Sequence, residues 1–345
     1  MASTRPDNSL ASDGSLRDTF GRQIQDLRLS VTDRCNFRCD YCANDYVHHA
    51  EASRLLSMDE FVRIADICSR LGVTRVRVTG GEPTLRPGLE RLFRGLSGLS
   101  LSDIAMTTNG SRVNDRSASR WRKAGLRRVT ISLDSLRPER FGAITRSRCP
   151  VERVLASIEC SKRAGLDPVR INTVVIRGMN DDEIVDLAAL ARRFDVDVRL
   201  IEYMPLDASM AWTPEAVVSA DEMVNAISEV YPLAPIGQDR RSSPSRMYAF
   251  ADGAPGRVGT IASVTRPFCS SCSRIRITAD GMIRPCLFSL EEWDIRGVLR
   301  THRAPEGDVE VARFLTTAIR AKQEGHGISS RSFIQPTRSM TAIGG

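Results

Sequence analysis

Leu27-Arg28-Leu29-Ser30-Val31-Thr32-Asp33-Arg34-Cys35-Asn36-Phe37-Arg38-Cys39-Asp40-Tyr41-Cys42 decides how the rest of this 345-residue chain is read. Residues 27–31 alternate apolar and polar, the period of a half-buried strand. The strand runs straight into three cysteines spaced C-x3-C-x2-C. Three thiolates on one short loop suit three irons of a 4Fe-4S cube and leave the fourth iron open to chemistry. A zinc clip would want a fourth Cys or His, and His48 and His49 stand near enough to offer one. Spacing alone leaves zinc open. Tyr41 beside the last cysteine and the motifs downstream favour the cluster.

Composition narrows the class. Hydrophobic residues make up 41% and charged residues 26% of the chain, an ordinary globular balance. No apolar run reaches membrane-spanning length, so no membrane partner is expected. Asp7, Asp13 and the lack of an apolar segment argue against a secretory signal. Nine cysteines, six of them in two tight groups, read as metal-site usage in a reducing cytoplasm. The net charge is +7, and lysine occurs only at 123, 162 and 322. Arginine suits bidentate grip on phosphate or carboxylate, so an anionic partner is expected. Nucleic acid would also suit the charge, but aromatic base-stacking patterns are lacking. For most of these arginines a solvated surface is the simpler reading.

Outward from the opening stretch, residues 1–16 read as a disordered tail. Ser57-Met58-Asp59-Glu60 reads as a capping box before a helix closed by Gly72, with Cys68 on its core face. Strands are expected at 74–79, 103–107, 127–133, 168–176 and 197–203. Helices are expected at 114–124, 151–164 and 181–194. With the first strand these make six alternating strands and helices, the signature of a parallel sheet with functional residues at the strand C-terminal ends. Six units fall short of a closed eight-stranded barrel, so an open side is expected. Prolines break the periodicity after about 206, and a domain boundary is placed near 235. The expected division is a tail (1–16), a partial barrel (17–235) and a smaller C-terminal domain (236–345).

Beyond the first cysteines, Gly80-Gly81-Glu82-Pro83 follows a strand; its glycines would let backbone approach a ligand, and its Glu could accept from an ammonium group. Cys269-x2-Cys272-x13-Cys286 forms a second three-cysteine group. A structural zinc there would borrow His302 or His326; a second cluster with an open iron is the sharper reading. Arg274-Ile275-Arg276 places two cations on one strand face. Arg28, Arg77 and Arg170 sit in expected strands and could point inward as a polyphosphate cradle, or outward to pair with carboxylates. By composition alone, the terminal Gly344-Gly345 reads as a frayed end.

Together these residues carry a resemblance. The C-x3-C-x2-C loop followed by Gly80-Gly81-Glu82-Pro83 resembles the radical S-adenosylmethionine (SAM) enzymes. Thr107-Thr108-Asn109-Gly110, Ile131-Ser132-Leu133-Asp134, Ile171-Asn172-Thr173-Val174, the second cysteine group and the Gly-Gly end together resemble the GTP 3′,8-cyclase family. The resemblance runs in order from about 18 to 345. It implies an α/β partial (β/α)6 radical SAM barrel, a smaller C-terminal domain carrying a second iron–sulfur site, and a homodimer. It implies SAM and two 4Fe-4S clusters as cofactors, held by Cys35, Cys39 and Cys42 and by Cys269, Cys272 and Cys286. SAM would meet Tyr41, Gly81, Glu82, Ser132 and Met204. GTP would meet Arg28, Arg77, Thr108, Arg170, Arg274, Ile275 and Arg276. Arg28, Arg274, Arg276, Gly344 and Gly345 would serve catalysis, the glycine pair reaching into the site. The implied reaction removes hydrogen from C3′ of GTP with a 5′-deoxyadenosyl radical and joins C3′ to C8. A flavodoxin- or ferredoxin-type donor would supply electrons, and cyclic pyranopterin monophosphate synthase would take the product. Two departures stand out: Ala43-Asn44 where the family has Met-Pro, and Arg170 where it has lysine.

Overall fold

In the computed structural model, residues 14–42, 49–206, 210–237, 242–330 and 332–344 are described. The expected tail lies mostly outside them, as does Ala43-Asn44. Leu16, placed in that tail by sequence, is instead 1% exposed and bonds through its N–H to Leu71 O. The ordered chain therefore begins earlier than its polar composition suggests.

The elements follow in chain order: β1 (Asp26–Ser30), α1 (Met58–Arg70), β2 (Arg75–Thr79), α2 (Leu89–Ser97), β3 (Asp103–Thr108), α3 (Asp115–Lys123) and β4 (Arg128–Ser132). Next come α4 (Pro138–Thr145), α5 (Val151–Arg163), β5 (Arg170–Val175), α6 (Ile184–Phe194), β6 (Asp197–Glu202) and α7 (Ala220–Val230). The remainder is β7 (Leu233–Ile236), β8 (Arg246–Phe250), β9 (Arg257–Ile261), β10 (Arg274–Ile277), β11 (Met282–Arg284), β12 (Trp293–Asp294), α8 (Ile295–Thr301), α9 (Asp308–Arg320) and α10 (Met340–Ile343).

Local chemistry explains the boundaries. Ser57 Oγ accepts from Glu60 N–H while Glu60 accepts from Ser57 N–H, so α1 starts on the expected capping box. Gly72 then takes φ +91°, the left-handed turn that stops the helix. Asn114 and Ser117 form a second such box at α3. Leu89, Leu92, Phe93 and Leu96 recur at helical spacing on one buried face of α2.

All strands join one sheet in the order β12-β11-β10-β1-β2-β3-β4-β5-β6-β9-β8-β7. The pairings from β10 through β6 to β9 are parallel; β11, β12, β7 and β8 add antiparallel margins. The six expected strands thus stand side by side, flanked by two later parallel strands that the repeat count missed. β9 lies on β6 and β10 on β1, so the sheet runs continuously through the expected boundary near 235.

Alternation sorts β10 cleanly. Ile275 pairs in register with Leu27, and both are fully buried. Its side chain belongs to the core, and the arginines on either side face the other way. Ile275→Ala is therefore expected to lower stability by about 2–5 kcal/mol, seen as a fall in urea midpoint, through a cavity beside β1.

Candidate active site

After β1 the chain turns over the C-terminal edge of the sheet. Gly81 N–H donates to Thr32 O at 2.8 Å and Glu82 N–H to Arg34 O at 2.8 Å. A Cβ on Gly80 would lie 2.4 Å from Thr32 O, and one on Gly81 2.4 Å from Arg34 O. The glycines therefore admit the cysteine loop's own backbone, a different close approach from the ligand contact expected. Glu82 also differs from expectation. Its buried carboxylate accepts from Thr108 Oγ1 (2.7 Å), Thr84 N–H (3.0 Å), Thr84 Oγ1 (2.6 Å) and Asn109 N–H (2.7 Å). It ties the end of β2 to the end of β3 and is absent from the cavity wall.

That wall encloses about 260 Å³ at the C-terminal ends of the strands. Cys35, Cys39, Cys42, Tyr41, Gly81, Thr108, Ser132 and Met204 all line it. The three thiols are free. Burial pushes Cys35 up to about 11, Cys42 up to about 12 and Cys39 well above its ordinary value. They keep their protons until a metal displaces them. Among the described residues, no three Cys, His, Asp or Glu side chains converge on one ion position. A cube takes one thiolate per iron, and the three thiols on this wall supply three such corners. His49 Nδ1 lies 3.7 Å from Asp33 Oδ1; His48 is outside the described residues.

Tyr41 donates its phenol to Asp134 Oδ2 at 2.6 Å, and Val174 N–H donates to Asp134 Oδ1 at 2.9 Å. Burial pushes Asp134 up to about 6. Asn172 Oδ1 is buried on the same wall with no hydrogen-bond partner among the described residues, an acceptor available to a ligand.

A second cavity, of about 410 Å³, opens toward the N-terminal ends of the strands. Arg28, Arg77, Arg170 and Arg274 line it, with Arg75, Arg127, Arg128 and Arg199, against only Asp26, Asp103 and Asp167. Arg75, Arg128 and Arg170 pair with Asp26, Asp103 and Asp197, and the remaining excess of guanidinium gives the cavity a positive potential. Arg28 pairs in register with Arg77 on one side and Arg276 on the other. Burial, then Arg276 and Arg274, push Arg28 well below its ordinary value. Burial, then Arg128, Arg28 and Arg199, do the same to Arg77, whose Nη1 donates to Thr107 and Thr130 at 3.0 Å each. Arg170 points inward, lining the cavity, and its Nε meets Asp197 there at 3.1 Å, so the carboxylate pairing raised for an outward arginine occurs on the inner face. Arg28, Arg274 and Pro244 line both cavities, so the two lie side by side with these residues in their common wall.

The second cysteine group flanks the cysteine-lined cavity through Phe268 and Leu287, which line it. Burial acts to raise Cys272, but Lys322 and Arg274 outweigh it and the thiol falls below its ordinary value. Lys322 Nζ donates to Arg274 O at 2.8 Å and to Pro285 O, and Arg22 Nη1 donates to Cys269 O at 2.7 Å. These two buried cations brace the segments that carry the cysteines. His326 is spent elsewhere: Nε2 meets Ser263 O at 2.8 Å and Nδ1 accepts from Ile328 N–H. It offers no nitrogen to a metal. Gly344, far from frayed, sits at φ +78° with its carbonyl accepting from Arg276 Nη1. Gly345 lies outside the described residues.

The residues not singled out by sequence are Arg75, Arg127, Arg128, Arg199 and Asn172. Arg75 had a signal: two positions before Arg77, it shares that residue's strand face. One pH effect follows from this geometry. Folded Asp134 takes up its proton near pH 6, above the ordinary carboxylate range. This side chain therefore favours the folded state more at pH 4 than at pH 7. Relative to Asp134→Asn, the cluster-free protein is expected to lose up to about 3 kcal/mol between pH 4 and 7, read by urea unfolding.

Comparison with known proteins agrees with this arrangement. Residues 29–191 match the Radical SAM superfamily, and residues 196–328 match Molybdenum Cofactor Synthesis C. The chain is 45% identical over 333 residues to GTP 3′,8-cyclase of Streptomyces coelicolor, covering 96% of each. It is 41% identical over 337 residues to GTP 3′,8-cyclase 2 of Pseudomonas aeruginosa, covering 97% of this chain and 100% of the relative. Among solved structures, Streptococcus suis SuiB bound to S-adenosylmethionine superposes with TM-score 0.60 at 15% identity, covering 87% of this chain and 69% of the other. Native anSMEcpe with bound AdoMet gives 0.57 at 14%, covering 88% and 82%. The latter two show the shared fold. At these identities and coverages, the chain belongs to the GTP 3′,8-cyclase family of radical SAM enzymes.

Proposed function

We propose that this protein converts GTP to (8S)-3′,8-cyclo-7,8-dihydroguanosine 5′-triphosphate, a lyase-class cyclisation that opens molybdenum cofactor biosynthesis. The observation that carries this reading is an arginine-lined cavity directly beside a cysteine-lined one, with Arg28 and Arg274 in the wall of both. Cys35, Cys39 and Cys42 would hold the SAM cluster, and Cys269, Cys272 and Cys286 the auxiliary cluster. When bound, the SAM cluster with SAM supplies a 5′-deoxyadenosyl radical that takes hydrogen from C3′ of GTP.

The chain's own residues do the rest. Arg75, Arg77, Arg170 and Arg199 bind the triphosphate at the N-terminal end of the sheet, where the anion relieves crowded guanidinium charge. An arginine at 170 keeps its Asp197 pair and still presents a cation to the cavity, as a lysine there would. Arg28 and Arg276 hold the nucleoside between the two cysteine sets. Tyr41, Gly81, Ser132, Asn172 and Met204 orient SAM or the ribose at the upper wall. Gly344, pinned by Arg276, closes the space and excludes water. We also read the protein as a homodimer in a reducing cytoplasm, with residues 17–235 as the partial barrel and 236–345 as the auxiliary-cluster region. It takes electrons from a flavodoxin- or ferredoxin-type donor and passes its product to cyclic pyranopterin monophosphate synthase.

Anaerobic reconstitution tests the proposal. It expects about eight irons per chain, as two cubes require, and 5′-deoxyadenosine and a product isobaric with GTP only when GTP is added. SAM cleavage with GTP untouched would contradict it. Gly344→Ala would bring a Cβ within 2.6 Å of Thr79 Cγ2 and 3.2 Å of Ser30 Cβ. That variant is expected to keep its iron while product formation falls about 100-fold, the cost of misplacing a closing segment by an ångström.

A further inference from the structure

Gly344 meets Arg276, a residue of the cavity wall, at the end of a short segment whose anchor lies on the second cysteine loop. Arg338 immediately precedes this segment and is 25% exposed. Its Nη1 donates to Glu292 Oε2 at 2.5 Å and its Nη2 to Asp280 Oδ1 at 2.5 Å. Glu292 is shared: its Oε1 accepts from Arg284 Nη1. Arg284, only 3% exposed, donates through Nη2 to Leu287 O and Ser289 O. Ser289 Oγ in turn accepts from Cys286 N–H at 3.0 Å. A continuous run of charged and polar contacts therefore leads from Cys286 through Arg284 and Glu292 to Arg338.

Apolar packing follows the same route. Met340, the first residue of α10, packs with Leu206, Phe288 and Ile328 in a small cluster that also contacts Cys286 and Leu287. At the far end, Ile343 is fully buried and Gly344 O meets Arg276. The tail thus rests on the Cys286 loop at its start and on the substrate arginines at its end. Glu292 satisfies two guanidiniums at once, so moving it away leaves buried Arg284 without a carboxylate partner and Arg338 with Asp280 alone.

We propose that Arg338 is a positioning residue that couples metal loading at Cys286 to docking of the 340–344 segment against Arg276. The proposal rests on the reading of Cys286 as a cluster ligand. A metal seated on Cys286 fixes the 286–292 loop, the loop fixes Glu292, and Glu292 with Asp280 fixes Arg338. Coupling of this kind is reciprocal: a docked tail also favours a loaded Cys286 loop. The device lets the substrate space close only when the second cluster is in place.

Hydrogen exchange by mass spectrometry tests this without SAM or GTP, so it is independent of the reaction assigned above. Wild type, Arg338→Gln and Arg338→Lys are compared with clusters loaded at matched iron content, and wild type is also measured cluster-free. In Arg338→Gln, exchange at residues 340–344 is expected to quicken by about tenfold or more while β1–β6 stay protected, since a half-buried ion pair is lost locally. Arg338→Lys should retain most of the protection. Cluster-free wild type should show the same quickened tail. Unchanged tail exchange in Arg338→Gln, loss of protection across the whole sheet, or failure of lysine to protect would overturn the positioning role. A tail indifferent to cluster loading would overturn the coupling.

Discussion

The parallel pairing of β10 with β1 is the constraint on which the site depends. Its register sets Arg276 beside Arg28, and Arg28 is already beside Arg77 on β2. Three guanidiniums in one row repel, and burial costs each of them hydration. The sheet holds them there through Ile275, Leu27 and Ile277, whose apolar side chains on the opposite face are fully buried. Apolar burial on one side of the sheet thus offsets like-charge crowding on the other. A polyphosphate is the ligand that turns that crowding into binding.

The same pairing brings the second cysteine group's neighbours Phe268, Arg274 and Leu287 to the cavity lined by the first cysteine set, though about 230 residues separate the two sets in the chain. Arg22 and Lys322 reinforce the junction from opposite ends of the sequence, each capping backbone carbonyls next to a cysteine. Buried cations near buried thiols also favour the thiolate, as the lowered Cys272 shows. By contrast, the first cysteine loop is held by backbone contacts with Gly80-Gly81 and by the Glu82 strut. Its thiols stay protonated until iron arrives. Burial raises Cys269 as it raises the first-loop thiols, so within the second group the lowering belongs to Cys272.

Much of this was legible in the sequence because it is local. Strand alternation, the Ser57 capping box and Gly72 each specify a boundary within a few residues. The cysteine spacings specify metal loops in the same way. The α2 pattern at Leu89, Leu92, Phe93 and Leu96 was also there to be read, and Arg75 could have been carried with Arg77. What could not be read is long-range. Nothing near Arg257–Ile261 or Arg274–Ile277 says that these strands lie on β6 and β1. Nor does Glu82 reveal that its carboxylate meets Thr108 and Asn109, since those partners arrive from another strand. Gly344 looked frayed by composition because its partners, Arg276, Ser30 and Thr79, are remote in sequence.

The central claim is that the arginine-lined cavity and the cysteine-lined cavity beside it together place C3′ of GTP for hydrogen removal. The most direct measurement uses GTP deuterated at C3′ with the reconstituted protein and SAM, following the label by mass spectrometry. The account predicts one deuterium in the 5′-deoxyadenosine formed. Unlabelled 5′-deoxyadenosine formed alongside cyclised product would contradict the placement.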